Sequence, residues 1–308
     1  MTILADSLIR PVTVDLGPVT VRIPVVRIQG YRDGPALLVT AGVDGDEYAG
    51  IAAAYRIIRE FSRIQFRGSL TVIPIVNIPG FYAKTSKNPL DGAYPKYIFP
   101  GKIRGTPSER LCYWLYTYTL HAQFWLDMHS GAQSERLTPF VGSWASGSTS
   151  IDALVRKVID AAPSRYASFE PSIPAKTQLL ATHGCAYLLA ESGELGLSDA
   201  VSVGRHVRWA RCVASVLGMT NEKFSRRKKT IFTHIVEFGA RHSGLWFPSY
   251  TKPRLFKRGE ILGEIRRENG TLREKILCTR TGAMLWGKVG MRAEKGDILA
   301  GLGYDVRS

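Results

Sequence analysis

Short apolar runs alternate with stretches of helical spacing through the first two-thirds of the chain, and this alternation predicts an α/β architecture. Residues 36–41, 70–77, 123–128 and 185–190 are brief, largely apolar and rich in branched or aromatic side chains, as suits strands covered on both faces of a parallel sheet. Pro74 within the second of these signals an end or an irregularity there. Ile51, Ala54, Tyr55 and Ile58 predict a helix over about 47–62. Val201, Val207, Ala210, Val213, Ala214 and Leu217 predict another over 198–217. Thr106-Pro107-Ser108-Glu109 opens a helix that runs to about His121, with Pro107 suited to an early helical position, and a further helix covers 151–162. Residues 11–29 alternate around a Gly-Pro break and predict a hairpin or two edge strands. Residues 132–150 read as a Gly/Ser-rich loop able to flex over a site, and 163–182 as a second irregular segment. Residues 78–106 read as a long ordered loop that walls a pocket, because they carry Phe81, Tyr82, Tyr94, Tyr97 and Phe99. After about residue 230 the pattern becomes short strands with glycine punctuation, including two similar phrases at 257–263 and 294–301. The expected organisation is an α/β domain over 1–222 and a compact all-β domain over 230–308.

Composition adds limits to this picture. With 308 residues, 45% of them hydrophobic, the chain has material for a substantial core. Four scattered cysteines without a C-x-x-C pair read as buried free thiols in a reducing compartment. No stretch approaches the length of a membrane helix, and residues 1–18 lack the basic start and apolar run of a signal peptide, so the expectation is a cytoplasmic protein without a membrane partner. The net charge of +15 raises the question of nucleic acid. The densest basic run, Arg226-Arg227-Lys228-Lys229, has no interleaved stacking aromatics and lies between two regions of different pattern. It reads as an exposed linker, and no specific nucleic-acid partner is expected. The overall charge can instead steer an anionic small molecule.

Candidate chemistry gathers at strand ends, where open α/β sheets place their sites. Gly42 and Gly45 permit a tight turn after the first buried strand, and Asp44 and Glu47 stand there three residues apart. They either cap the following helix or serve as hard oxygen ligands. A second strand end, Asp127-Met128-His129-Ser130-Gly131, supplies an imidazole beside a carboxylate able to fix its tautomer. His129 is either structural or the third member of a metal-ligand set with Asp44 and Glu47. His183 competes for that role, and His121 suits a helix C-terminus. Glu191, ending the strand at 185–190, either caps the next segment or acts as a general base, with Glu237 as a competitor.

Gly42-Val43-Asp44-Gly45-Asp46-Glu47 resembles the Gly-X-His-Gly-X-Glu turn of the succinylglutamate desuccinylase/aspartoacylase family, which belongs with the zinc metallocarboxypeptidases. Asp127-Met128-His129-Ser130-Gly131 is similar to its Asp-Leu-His-Ser-Gly segment, and residues 88–92, Phe99-Pro100-Gly101 and Ala190-Glu191-Ser192-Gly193 keep the family's order. The resemblance runs from about residue 36 to the end. It implies a metallocarboxypeptidase-like mixed sheet with helices on both faces, plus a C-terminal β-domain reminiscent of a lipoyl sandwich. It implies a metal-dependent amide hydrolase (a deacylase) acting on a small N-acylated amino acid or related amide. Asp44, Glu47 and His129 then hold one divalent ion, Asp127 supports His129, and Glu191 is the catalytic base. Zinc is the implied ion, with manganese or another oxygen-preferring ion open because of Asp44.

Two departures stand out. Asp44 replaces the family's first histidine ligand, and Lys96 and Tyr97 replace an Asn-Arg pair that holds the substrate. Lys96, Tyr97 and Arg104 become the expected contacts for an anionic substrate, although lysine lacks the planar fork of arginine. The same departures motivate an alternative: a family member that has lost catalysis and binds a metabolite or a partner. A homo-oligomer stays open.

Overall fold

The computed structural model describes residues 9–225 and 228–304. Nine strands form one mixed sheet: β1 (Ile9–Asp15), β2 (Thr20–Gln29), β3 (Arg32–Ala41), β4 (Arg67–Ile73), β5 (Phe124–His129), β7 (Phe140–Trp144), β8 (Tyr166–Glu170), β9 (Ala186–Glu191) and β10 (Thr230–Phe232). Their order is β1-β2-β4-β3-β5-β9-β7-β8-β10. The central strands β4, β3, β5 and β9 are parallel, and β1–β2 is the expected antiparallel hairpin, at one edge.

The period-two alternation of a strand divides each buried run between two cores. Leu37 and Val39 face one side with Phe124, Leu126, Ala186 and Leu188, against the helices Tyr48–Phe61, Thr149–Ala161 and Ala200–Val216. Leu38, Trp125 and Tyr187 face the other, against Leu111 and Leu115 of the helix Pro107–Thr119 and Leu180 of the helix Ala175–Thr182. Helices therefore cover both faces. The Pro107–Thr119 helix starts as its sequence predicts, with Thr106 and Glu109 in a reciprocal capping box and Pro107 in the first turn.

Some expectations need correction. The strand read as 70–77 ends at Ile73, because Pro74 has no amide to donate. The segment 132–150 is not a free loop: it holds β6 (Glu135–Leu137) and β7, and the helix Thr149–Ala161 already starts within it. The segment 163–182 holds β8 and a helix. The long 78–106 segment contains the helix Ile78–Ala83, a bridge between Asn88 and Ala93, and a 3-10 turn at Pro95–Tyr97. Of the basic run, Arg226 and Arg227 lie outside the described residues. Lys228 is exposed, but Lys229 donates to the carbonyls of Ile159, Asp160 (3.0 Å) and Ala162 (2.7 Å) at a helix C-terminus, where a cation is favoured.

The C-terminal part is largely β. One sheet runs β11 (His234–Gly239), β18 (Ile298–Tyr304), β16 (Gly282–Lys288), β13 (Leu255–Phe256). The other runs β15 (Leu272–Leu277), β14 (Ile261–Arg266), β12 (Gly244–Pro248), β17 (Arg292–Ala293). Trp246, Phe256, Leu262, Ile265, Met284 and Leu299 fill the core of this part. The two parts exchange strands. β6 pairs with β16 through Leu137 opposite Trp286, while β10 closes the large sheet beside β8. All four cysteines are free and buried. Among the described residues no helix is long and apolar enough to cross a membrane.

Candidate metal centre

β3 ends at Ala41, and Gly42 turns the chain with φ +63°, a conformation that suits glycine. The turn is pinned to the segment after β4, since the amides of Val76 and Asn77 donate to the carbonyls of Ala41 (3.0 Å) and Gly42 (2.8 Å). Gly45 serves a different purpose from the one expected. Its φ is not in the left-handed region; it is needed because a Cβ there falls 2.2 Å from the backbone of Gly80 and Phe81. This close approach fixes where Asp44 and Glu47 point.

The structure decides between capping and ligation. Glu47 stands at the N-cap of the helix Tyr48–Phe61, yet its side chain makes no capping bond. Its Oε2 accepts instead from the Ser130 amide (2.9 Å) and lies 3.0 Å from His129 Nδ1. Asp44 Oδ2 lies 3.8 Å from the same nitrogen. Asp44, Glu47 and His129 are all buried, and their ligand atoms fall within 4.8 Å of one another. A tetrahedral zinc bound at about 2.0–2.1 Å needs its ligand atoms about 3.4 Å apart. The donor set fits such an ion: Asp44 Oδ1 is buried without a partner, and His129 Nδ1 faces both carboxylates.

The imidazole is oriented from behind. His129 Nε2 lies 3.3 Å from Asp127 Oδ2, so a proton there leaves Nδ1 as the ligating atom. Asp127 also accepts from Thr40 Oγ1 (2.6 Å) and the Tyr187 hydroxyl (3.1 Å). Lys176 Nζ lies 3.7 Å from it and sits over the rings of Tyr187 and Trp125. Burial opposes ionisation of Asp127, but His129, Lys176 and Thr40 outweigh it and bring its pKa down to about 2.

Glu191 ends β9 directly beside His129 in the parallel register. Its Oε2 is buried and unpartnered, and burial pushes its pKa up to about 7 against the pull of His129 and Lys96. Burial likewise raises Glu47. Asp44 goes the other way: burial is outweighed by Lys96 and His129, which hold it well below the usual carboxylate range.

Of the three expected substrate contacts, Lys96 bonds a residue of the cluster. Lys96, on the 3-10 turn, donates to Asp44 Oδ2 at 2.6 Å. Tyr97 beside it is 66% exposed, and Arg104 is exposed in the loop ahead of Pro107. The competitors fall away from the cluster. His183 caps the helix Ala175–Thr182 against the ring of Tyr116, His121 is exposed just beyond Thr119, and Glu237 is exposed on β11. Sequence reasoning missed Thr40, Glu135, Lys176 and Tyr187. Thr40 left a signal, as the lone hydroxyl in a buried apolar run. Lys176 and Glu135 left none, because both lie on elements that looked irregular. Burial raises the Glu135 carboxyl, opposed by Lys96.

Comparison with known proteins agrees with this geometry. Residues 33–204 match the sequence profile of the succinylglutamate desuccinylase/aspartoacylase catalytic domain. A stretch of 124 residues is 31% identical to an N-alpha-acetyl-L-2,4-diaminobutyric acid deacetylase of Halomonas elongata, and spans 40% of this chain but only 36% of that protein. The fold matches the crystal structure of a succinylglutamate desuccinylase/aspartoacylase from Rhodobacter sphaeroides with a TM-score of 0.81 and 24% identity, over 97% of this chain and 95% of that one. It also matches the product-bound ectoine utilization protein EutE (DoeB) from Ruegeria pomeroyi, with a TM-score of 0.80 and 22% identity over 96% and 93% of the two chains.

Proposed function

Because this chain belongs to the succinylglutamate desuccinylase/aspartoacylase family, we propose that it is a metal-dependent deacylase that hydrolyses the amide bond of a small N-acylated amino acid or related amide. The observation that carries the reading is the convergence of Asp44, Glu47 and His129 within 4.8 Å, with Glu191 beside His129 on the adjacent strand end. When bound, a divalent ion supplies Lewis acidity to the scissile carbonyl and to the attacking water. Asp44, Glu47 and His129 hold it, and Asp127 keeps His129 in the ligating tautomer. Glu191 Oε2 accepts the proton of the attacking water and returns it to the departing nitrogen. Its burial raises its basicity towards that needed near neutral pH.

The Halomonas relative is named for an N-acetylated diamino acid, which falls within this substrate class. Tyr97 and Arg104 are the remaining candidates to meet an anionic group of the substrate. Residues 1–222 together with β10 are the catalytic domain in this reading, and the β-domain begins at β11, not at residue 230 as expected, with β6 joining its sheet. Buried free thiols support a reducing, cytoplasmic setting. Zinc suits the nitrogen ligand, and manganese the two carboxylates.

The test is elemental analysis of the purified protein beside Asp44→Ala and His129→Ala, then a hydrolysis screen of N-acyl amino acids. About one zinc or manganese per chain, absent from both variants, is the expected result. A folded wild-type protein that takes up no divalent ion when supplied with one overturns the reading.

A further inference from the structure

Lys96 was expected to meet substrate, and the structure gives it another partner. Its ammonium donates to Asp44 Oδ2 at 2.6 Å, and that oxygen is itself 3.8 Å from His129 Nδ1. The other Asp44 oxygen, Oδ1, is buried and bonds to nothing. The two oxygens of one carboxylate thus have separate surroundings: Oδ2 takes the lysine and lies towards His129, while Oδ1 is buried with no hydrogen-bond partner. The lysine is firmly carried. Its turn comes after Tyr94, whose ring lies 5.8 Å from Nζ, and includes Tyr97, whose ring lies 5.5 Å away. Cys112 bonds the carbonyl of Pro95, the first residue of the turn.

Charge decides what this arrangement does. Two carboxylates and a neutral imidazole give the ligand set two negative charges. The Lys96 ammonium cancels one of them at hydrogen-bond distance. We propose that Lys96 is a metal-selecting residue, whose ammonium neutralises one carboxylate of the ligand set and so keeps the site suited to zinc over harder, oxygen-preferring ions. The inference rests on the metal reading of the same site. The ion then meets a net single negative charge, and the ammonium on Oδ2 draws electron density away from the Asp44 carboxylate. Less anionic donors leave the ion a stronger Lewis acid. A fixed positive charge a few ångströms away also lowers affinity for every divalent ion, so selectivity is gained at the expense of tightness.

The test measures zinc and manganese affinities by competition with a chromophoric chelator, for wild type, Lys96→Met, Asp44→Asn and the double variant. Circular dichroism and thermal melting monitor folding. Lys96→Met is expected to bind both ions at least about tenfold more tightly, with manganese gaining more than zinc. Asp44→Asn leaves the ammonium unpaired beside the ion and is expected to bind at least about tenfold more weakly. Adding Lys96→Met to Asp44→Asn is expected to recover most of that loss. This second comparison contains no unpaired buried carboxylate at position 44, so it carries the test even where Lys96→Met alone does not fold. Folded Lys96→Met with wild-type affinities, or a double variant no better than Asp44→Asn, overturns the inference while leaving the metal site standing. A set in which neither wild type nor Lys96→Met takes up an ion overturns the metal reading and the inference together.

Discussion

Gly45→Ala tests whether the ligand cluster is set by backbone contact between two loops. A Cβ at position 45 falls 2.2 Å from the Gly80 carbonyl carbon and the Phe81 nitrogen, and 2.7 Å from the Gly80 oxygen. Ordinary contact begins near 3.4 Å, and the clashing atoms are backbone, so no rotamer change relieves them. The turn and the helix Ile78–Ala83 must separate by about 1 Å, in a region packed at crystal-like density. Overpacking of this kind costs about 1–3 kcal/mol. Asp44 and Glu47 flank the substituted residue, and a functional site tolerates displacement of only about 0.5 Å. Metal affinity is therefore expected to fall by at least about tenfold, with melting lowered by several degrees. Gly204→Ala is the matched control. It lies within the helix Ala200–Val216 with nothing within 4 Å of an added Cβ, and is expected to be neutral or slightly stabilising. Chelator competition and thermal unfolding of the three proteins decide the matter. Gly45→Ala with wild-type affinity and melting temperature refutes the argument that this contact positions the ligands.

Glu191→Gln removes the proposed base while keeping the shape of the side chain. It is expected to lower kcat about 10²–10⁴-fold with metal content unchanged, and loss of the metal instead would assign Glu191 to ligation. His206, fully buried on the helix Ala200–Val216, bonds the Ser192 carbonyl at 2.9 Å, and burial lowers its pKa from 6.5 to about 4. The neutral form is the folded form, so its stabilisation is fully present above the unfolded value of 6.5 and is lost progressively as pH falls from 6.5 through about 4. That loss is about 3 kcal/mol. Urea unfolding at pH 7 and pH 5 is expected to show a steeper decline for wild type than for His206→Gln, and parallel slopes would contradict the assignment.

Much of the site was readable because its chemistry lies at the ends of short apolar runs. A strand covered on both faces admits few polar residues, so Asp127 and His129 closing one run, and Glu191 closing another, stand out. Parallel register then carries these ends to one edge of the sheet, where His129 and Glu191 become neighbours. The choice between capping and ligation at Glu47 was not readable. It depends on the Ser130 amide and His129, more than eighty residues away, and local sequence says nothing about such partners. The strands β6, β7 and β8 were hidden for a similar reason. They are short, β7 and β8 carry serine or glycine, and distant strands pair with two of them, β6 with β16 and β8 with β10.

By itself, then, the sequence determined the alternation of strand and helix, the identity of the carboxylates and imidazole at the strand ends, and the change to all-β structure after residue 230. Those features come from local periodicity and from which residue types tolerate burial. Only the tertiary structure decided which atoms meet. It made Gly45, expected to permit a tight turn, a point of close backbone contact, brought Lys176 and Tyr187 behind Asp127, and committed Lys96 to Asp44 across fifty-two positions of chain. Charge pairing and close packing act through space, and the chain's order in sequence does not record those distances.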